Sequence, residues 1–377
     1  MTKMQLFVLV TAILILGIAD AGAQATFTLI DTTDYYGSIK SLSDDGTVGV
    51  GIDAGAIFRW EASMGSAIEY LPGTVADDQH VFNTDLSGDG THIVSNQPDP
   101  ISGFWNAAIW SADSGWVHLG TFPDGVPLDG SLSSGWGVNH DGSVVVGYGN
   151  DSGSRAQAFR WSASTGMVGL GRSASYGSRG TRVSGDGAVV VGFHQHPTQG
   201  YRLAARWVDV QPVDLFLGET DVADALNVSS NGAHIVGNWF TTAFIYDDDG
   251  GLRDLGLLGG LGADERSVGS AVSDDGTRVV GWDGNPWTGV AFGYLWTPDA
   301  GMRRLDEVLT EAGANLGDWF IAIVYDISSD GETVAGQAIN STTHESRGFV
   351  ATLPKVLFAD GFESGDASAW TSTAGGN

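Results

Sequence analysis

His194-Gln195-His196 sets two imidazoles two positions apart, on one side of an extended segment, and such a pair can begin a metal site. No third ligand accompanies it, so the stretch reads as a polar loop. Asp85-Leu86-Ser87-Gly88-Asp89-Gly90 and Asp326-Ile327-Ser328-Ser329-Asp330-Gly331 alternate oxygen-bearing residues ahead of a glycine, as calcium loops do. Asn96 and Gln337 stand where such a loop needs its closing acid, and Ile93 and Val334 belong to strands, so both stretches read as hairpins. Asp247-Asp248-Asp249 is a weaker cation candidate. Asp124, Asp129 and Asp221 are loop acids that would serve a hydrolase or lyase only if folding paired them. With no Cys there is no thiol nucleophile or thiolate ligand, and no His-Glu-x-x-His, Gly-x-Ser-x-Gly or phosphate loop occurs. Gly49-Val50-Gly51-Ile52-Asp53-Ala54 matches a dinucleotide-type string, but no helix pattern follows it. The sequence therefore assigns no catalytic residue, no cofactor and no metal.

The elements that would position any of these residues are repeats. Val183-Ser184-Gly185-Asp186-Gly187-Ala188-Val189-Val190-Val191-Gly192 is the clearest copy. Ser-x-Asp-Gly between apolar runs fits a tight turn ending on a left-handed glycine, and the β-branched run after it fits a strand covered on both faces. Seven copies occur, with turn glycines at Gly46, Gly90, Gly142, Gly187, Gly232, Gly276 and Gly331. Their spacings of 44, 52, 45, 45, 44 and 55 are the size of a four-stranded propeller blade. His92 and His234 share one repeat position with Arg278, which suggests an exposed strand site.

Each hairpin is followed by a stretch such as Ala56-Ile57-Phe58-Arg59-Trp60 or Ala158-Phe159-Arg160-Trp161. Its regular recurrence favours a packing layer between sheets over a sugar-stacking platform. A third stretch, such as Met167-Val168-Gly169-Leu170-Gly171, closes most units as their fourth strand. The seventh unit lacks it, and Phe27-Thr28-Leu29-Ile30 stands where the missing strand would be. The expected fold is all-β: a seven-bladed β-propeller of four-stranded blades, closed by the N-terminal strand, which leaves no open sheet edge at the seam.

Residues 1–23 have the form of a secretory signal peptide, with Lys3, an apolar run from Leu6 to Ile18, and Ala21-Gly22-Ala23 as a small-x-small cleavage site. There is no lipobox Cys, and no later stretch is apolar and long enough to span a bilayer. The expected location is therefore secreted or extracytoplasmic, with no integral span after cleavage. A formal charge of -28 argues against nucleic acid and anionic membrane surfaces as partners.

As a set, the Ala-Phe-x-Trp, Leu-Gly and Ser-x-Asp-Gly units resemble the HAF family of extracellular repeat proteins. The best match runs from Leu255-Gly256-Leu257-Leu258-Gly259-Gly260 to Ala271-Val272-Ser273-Asp274-Asp275-Gly276, and the likeness covers about residues 26–353. The resemblance implies a secreted bacterial β-repeat protein without an assigned catalytic residue. The tail from Leu357 to Trp370, with its Asp360-Gly361-Phe362-Glu363-Ser364-Gly365-Asp366 motif, looks like a short ending found on secreted proteins of some Gram-negative bacteria.

The domain reading is residues 1–23 signal peptide, 24–355 propeller and 356–377 tail. The expected function is that of a non-enzymatic, monomeric binding module for an extracellular protein or polysaccharide. A carbohydrate-active hydrolase or lyase on the same scaffold is the alternative. Stretches 96–106, 121–134 and 193–201 are the candidate binding loops, with Trp105, Trp136, His194, His196 and Tyr201 as candidate contacts.

Overall fold

The Ser-x-Asp-Gly stretches close seven hairpins through one set of hydrogen bonds. In the fourth, the Gly187 N–H donates to the Ser184 carbonyl at 2.8 Å, with Gly187 at φ 74°. A side chain other than hydrogen is strained in that region. The Ser184 hydroxyl donates to Asp186 at 2.6 Å and accepts the Val189 N–H at 3.0 Å, while Asp186 accepts the Ala188 N–H at 2.9 Å. The Ser184 hydroxyl, with the Ala188 N–H, holds the Asp186 carboxyl below the usual carboxylate range. Asn139 takes the serine's part in the third turn, and Asn231 the aspartate's in the fifth.

The computed structural model describes residues 24–354 except 76, 78, 79, 81, 82, 172–176, 209, 210, 216–221, 286 and 287. The expected signal peptide and tail lie outside the described residues. The described chain forms seven four-stranded antiparallel sheets arranged as a β-propeller. Blade one comprises Ser38–Leu42, Val48–Asp53, Ala56–Glu61 and Glu69–Tyr70, and blade four Ser178–Val183, Val190–Gln195, Arg202–Val208 and Gln211–Asp214. Blade seven supplies Trp319–Ile327, Thr333–Asn340 and Ser346–Thr352, and takes its outer strand, Thr26–Leu29, from the start of the chain. Thr26 lies opposite Thr352 and Leu29 opposite Phe349, so the expected closure is present.

The glycine that ends six of the seven repeats, with Ser95 in the second, also has a physical reason. The innermost strands bulge, in blade four between Gly180 and Arg182. A Cβ at Gly192 would run into the Arg179 carbonyl on the neighbouring strand, and one at Gly147 into that of Ser134. Aromatic residues of the third strands fill the space between blades. Phe58, Phe159, Trp207, Phe244 and Phe349 are fully buried, so the recurring stripe is packing, as expected. Val146, Val183, Val190 and Trp207 share one such layer between blades three and four.

A second joint runs round the ring. The residue two beyond each turn glycine leans on the turn glycine of the next blade. Val48 meets Gly90, His92 meets Gly142, Val144 meets Gly187, and Val189 meets Gly232. His234 meets Gly276, Arg278 meets Gly331, and Thr333 returns to Gly46. His92 and His234 are thus half-buried seam residues rather than exposed ones; their shared repeat position reflects this joint.

Candidate functional site

The hairpin turns gather at one end of the central channel, the turn face. The connections between second and third strands, and those between blades, lie at the other, the loop face. At the turn face the variable residue of Ser-x-Asp-Gly lines the opening. Backbone bonds link neighbours there: the Asp44 N–H donates to the Gly88 carbonyl at 2.9 Å, Gly185 to Ser230 at 2.8 Å, and Ser329 to Asp44 at 2.9 Å. The Asp44 carboxylate then braces the opening from blade one, bonding His140 Nδ1 at 2.7 Å and the hydroxyls of Ser230 and Ser329 at 3.0 Å each. Those partners belong to blades three, five and seven.

Behind this brace is a narrow polar cavity of about 80 Å³ bordered by Asp85, Arg182 and Asp326. Asp85 accepts the Val138 N–H at 3.0 Å and lies 3.5 Å from Arg182 Nε. Asp326 accepts the Leu42 N–H at 2.7 Å, and burial raises its carboxyl to about 7. Lys40, buried with its Nζ 3.7 Å from the centre of the Tyr325 ring, is lowered by burial to about 7. Asp85 and Asp326 therefore serve neighbouring inner strands, while Asp89 and Asp330 cap their own turns. The hairpin reading of both calcium-like stretches holds. Among the described residues no three His, Asp or Glu side chains converge as a metal site.

At the loop-face end of the inner strands stands a ladder of stacked side chains. The Trp136 indole N–H donates to the Ser134 hydroxyl at 3.0 Å, and the Arg179 guanidinium lies over the Trp136 ring at 3.7 Å. Phe193 follows, 4.8 Å from Arg179 and 4.5 Å from Arg202. Arg202 ends the ladder in an ion pair with Asp224 at 2.8 Å. Burial lowers the Arg179 guanidinium to about 10.

The residues expected from sequence fall around this mouth. Trp136 is in the ladder. Trp105 stacks flat on His80, with ring centres 4.2 Å apart. His194 remains on the second strand of blade four, opposite Leu203, but that strand ends at Gln195. His196 comes next, its N–H donating to the Tyr201 carbonyl at 2.8 Å, and its ring stacks on Tyr201 at 4.9 Å and accepts the Gln199 N–H on Nδ1 at 3.2 Å. That ring is occupied within its own loop. Of the expected binding loops, residues 96–98, 105–106, 133–134 and 193–195 are strand, which leaves shorter connections at 99–104, 121–132 and 196–201. Asp221 lies outside the described residues. Arg179, Arg202 and Asp224 escaped the sequence reading. A signal existed, since Arg179 and Asp224 put charge in lead-in strands where Ser134 and Val268 hold the matching bulge-relative positions.

Other loop-face acids hold loops in place. Asp53 accepts the Thr33 and Asp34 N–H groups at 2.8 Å each and the Tyr70 hydroxyl at 2.6 Å. Asp283 accepts the Leu258 N–H at 2.8 Å, while Glu265 takes those of Gly259 and Leu261 at 2.7 and 2.9 Å. Burial, with Glu265 nearby, raises Asp283 to about 7. Asp283 is fully buried, out of reach of a substrate.

The two faces differ in polarity. Among the described residues, large exposed apolar side chains sit in loop-face connections, on outer strands or, for Val290, at the loop-face start of a third strand, and none on the turn face. Ile101 is 95% exposed, Tyr35 and Tyr36 59% and 60%, and Phe240 51%; Leu128, Val222 and Leu257 accompany them.

No protein-family model and no curated protein sequence matches the chain. Solved structures do. The β-propeller domain of the Trilobed protease from Pyrococcus furiosus aligns with a TM-score of 0.51 at 14% identity, over 87% of this chain and 95% of that one. That propeller is described as having an open velcro topology, whereas here Thr26–Leu29 fastens the last blade. An oligogalacturonate lyase in complex with manganese gives 0.52 at 14% identity, over 88% and 91%. TolB from Acinetobacter baumannii gives 0.38 at 14% identity over 71% of this chain, which spans about half, 52%, of that protein. At these identities the likeness is one of fold.

Proposed function

We propose that the chain is an exported, non-enzymatic propeller of the HAF repeat kind whose loop face docks a partner protein. The observation that carries this reading is the segregation of exposed apolar side chains to that face. Buried polar ladders and loop clamps hold the surrounding connections, which favours a preformed docking surface. Ile101, Leu128, Val222 and Leu257 are aliphatic. They offer no ring for a sugar to stack on, and with the rings of Tyr35, Tyr36 and Phe240 they make a mixed apolar face that suits a protein surface better than a polysaccharide. The hydrolase or lyase alternative needs two free carboxylates facing each other across a cleft, and Asp53, Asp224 and Asp283 are instead bonded to loops or to Arg202.

Recovery of cross-linked partners from the producing cell tests the reading. Ile101→Glu combined with Phe240→Glu and Leu257→Glu should abolish cross-linking, while Asp113→Lys with Asp299→Lys on the turn face should leave it intact. Equal recovery by both sets would overturn the docking face.

A further inference from the structure

At the loop mouth two guanidinium groups, Arg179 and Arg202, share one carboxylate, Asp224, and only Arg202 bonds it. Arg179 packs against two rings, Trp136 at 3.7 Å and Phe193 at 4.8 Å, which restricts its guanidinium. Its Nε is sealed from solvent with no hydrogen-bond partner, although the residue keeps part of its surface exposed. Among the described residues none ion-pairs or hydrogen-bonds with its terminal nitrogens. The neighbouring guanidinium groups are satisfied: Arg202 by Asp224 at 2.8 Å, and Arg182 by the Trp136 carbonyl at 2.5 Å. The chain carries 45 acidic residues against 17 basic ones, so carboxylates are not scarce.

The geometry defines what could complete the site. Two rings lie against the Arg179 guanidinium, and its edge carries the donors. That edge is a planar fork of donors matched to a carboxylate. Beside it, on the next blade, Asp224 spends Oδ2 on Arg202 and keeps Oδ1 buried without a partner. Buried polar atoms left unpaired cost free energy, and a ligand seated on the part of the Arg179 edge that stays exposed would offset that cost. The complement is a carboxylate with an N–H donor close by, which an acidic residue in a peptide supplies through its own side chain or chain terminus and its amide.

We propose that Arg179 and Asp224, framed by Trp136 and Phe193, form a receptor for the carboxylate and adjacent amide N–H of an acidic peptide segment. This rests on the reading of the loop face as a protein-docking surface and names the chemistry of its partner. The ladder presents Arg179 preorganised, and Arg202 holds Asp224 in place beside it.

Titration of the full chain, labelled with 15N at tryptophan, tests the receptor. The Trp136 indole signal is assigned through Trp136→Phe and survives changes at Arg179. The probes are acetyl-Gly-Gly-Ser-Glu-Glu as free acid, the same peptide as its C-terminal amide, and the amidated Gln-Gln counterpart. Sodium acetate and trigalacturonate are the comparison anions. The Glu peptides should shift the signal saturably and the Gln peptide should not. A response to the free acid alone assigns the terminal carboxylate, and an equal response to the amide assigns a side chain. Arg179→Gln should weaken the response at least about tenfold, and Asp224→Asn should weaken it as well. Should Arg179→Gln fail to fold, Arg179→Lys keeps the charge, removes the fork and should still bind more weakly. An equal shift by the Gln peptide or by acetate at matched concentration overturns the proposal, as does a response to trigalacturonate alone or to no probe. If cross-linked partners are lost with the loop-face glutamates but kept in Arg179→Gln, the receptor falls and the docking face stands. If the glutamates change nothing, the docking face falls and the peptide titration still decides Arg179.

Discussion

Ile30→Ala should destabilise the ring out of proportion to its place near the chain start. Ile30 is fully buried against Ile39, Phe58 and Val350, and its N–H donates to the Gly348 carbonyl at 2.8 Å. It therefore packs blade seven against blade one where the two ends of the sequence meet. Loss of a buried isoleucine side chain to a cavity costs about 2–5 kcal/mol. For a domain of this size that lowers the melting midpoint by roughly 3–7 °C. Deleting residues 24–31 also removes the Phe27–Phe349 ring contact at 5.7 Å and the whole ladder from Thr26 to Leu29. It exposes the edge of Ser346–Thr352, and the added loss approaches the entire stability of about 5–15 kcal/mol that domains have. Ile101→Ala, at a side chain 95% exposed, is the control and should shift the midpoint by less than about 1 °C. Thermal unfolding of the three variants beside the parent, read by near-ultraviolet circular dichroism, makes the comparison. An Ile30→Ala midpoint equal to that of Ile101→Ala would refute the reasoning, because an open array could then hold without its N-terminal fastener.

Asp326→Asn should make stability less dependent on pH. Burial raises the folded carboxyl from 3.8 to about 7, so the folded chain binds a proton that the unfolded chain releases, and stability falls as pH rises between those values. The variant should gain up to about 4 kcal/mol over the parent at pH 8 and nothing at pH 4, measured by urea unfolding; a constant difference would contradict it. Lys40→Met should act with the same sign at neutral pH but a different window, since Lys40 falls from 10.5 to about 7 and its cost is greatest below about 7. Asp44→Ala should cost about 1–3 kcal/mol through the lost bonds to His140, Ser230 and Ser329, and an unchanged midpoint would show that the brace holds nothing. The mature protein should begin near Gln24 or Thr26, and N-terminal sequencing that finds an intact Met1 on soluble cytoplasmic protein would reject export.

The fold was legible because its signals are local and repeated. Ser184, Asp186 and Gly187 encode a turn within four residues, and seven copies turn that hint into a ring. Closure was legible from a missing strand after Phe349 and a spare one at Phe27. The mouth was less so. Trp136 was visible as a large aromatic, but its partner Arg179 lies 43 positions later, as their numbers show, and nothing local announces that the two stack. His194 and His196 looked like a pair because alternation in a strand would align them. The His196 ring is instead held within its own loop, by Tyr201 and by the Gln199 N–H. The position shared by His92 and His234 could not be read as a seam until the next blade's glycine stood against it.

That seam gives the ring a modular grammar. Every unit carries both halves of the coupling, a knob two residues past its turn and a glycine socket within it, so any unit can follow any other. The constraint is unequal. Sockets are glycine throughout, while knobs vary from Val48 and Val144 to Thr333, His92, His234 and Arg278. Duplication or exchange of whole units preserves the coupling automatically, and sequence drift is channelled to the knob side.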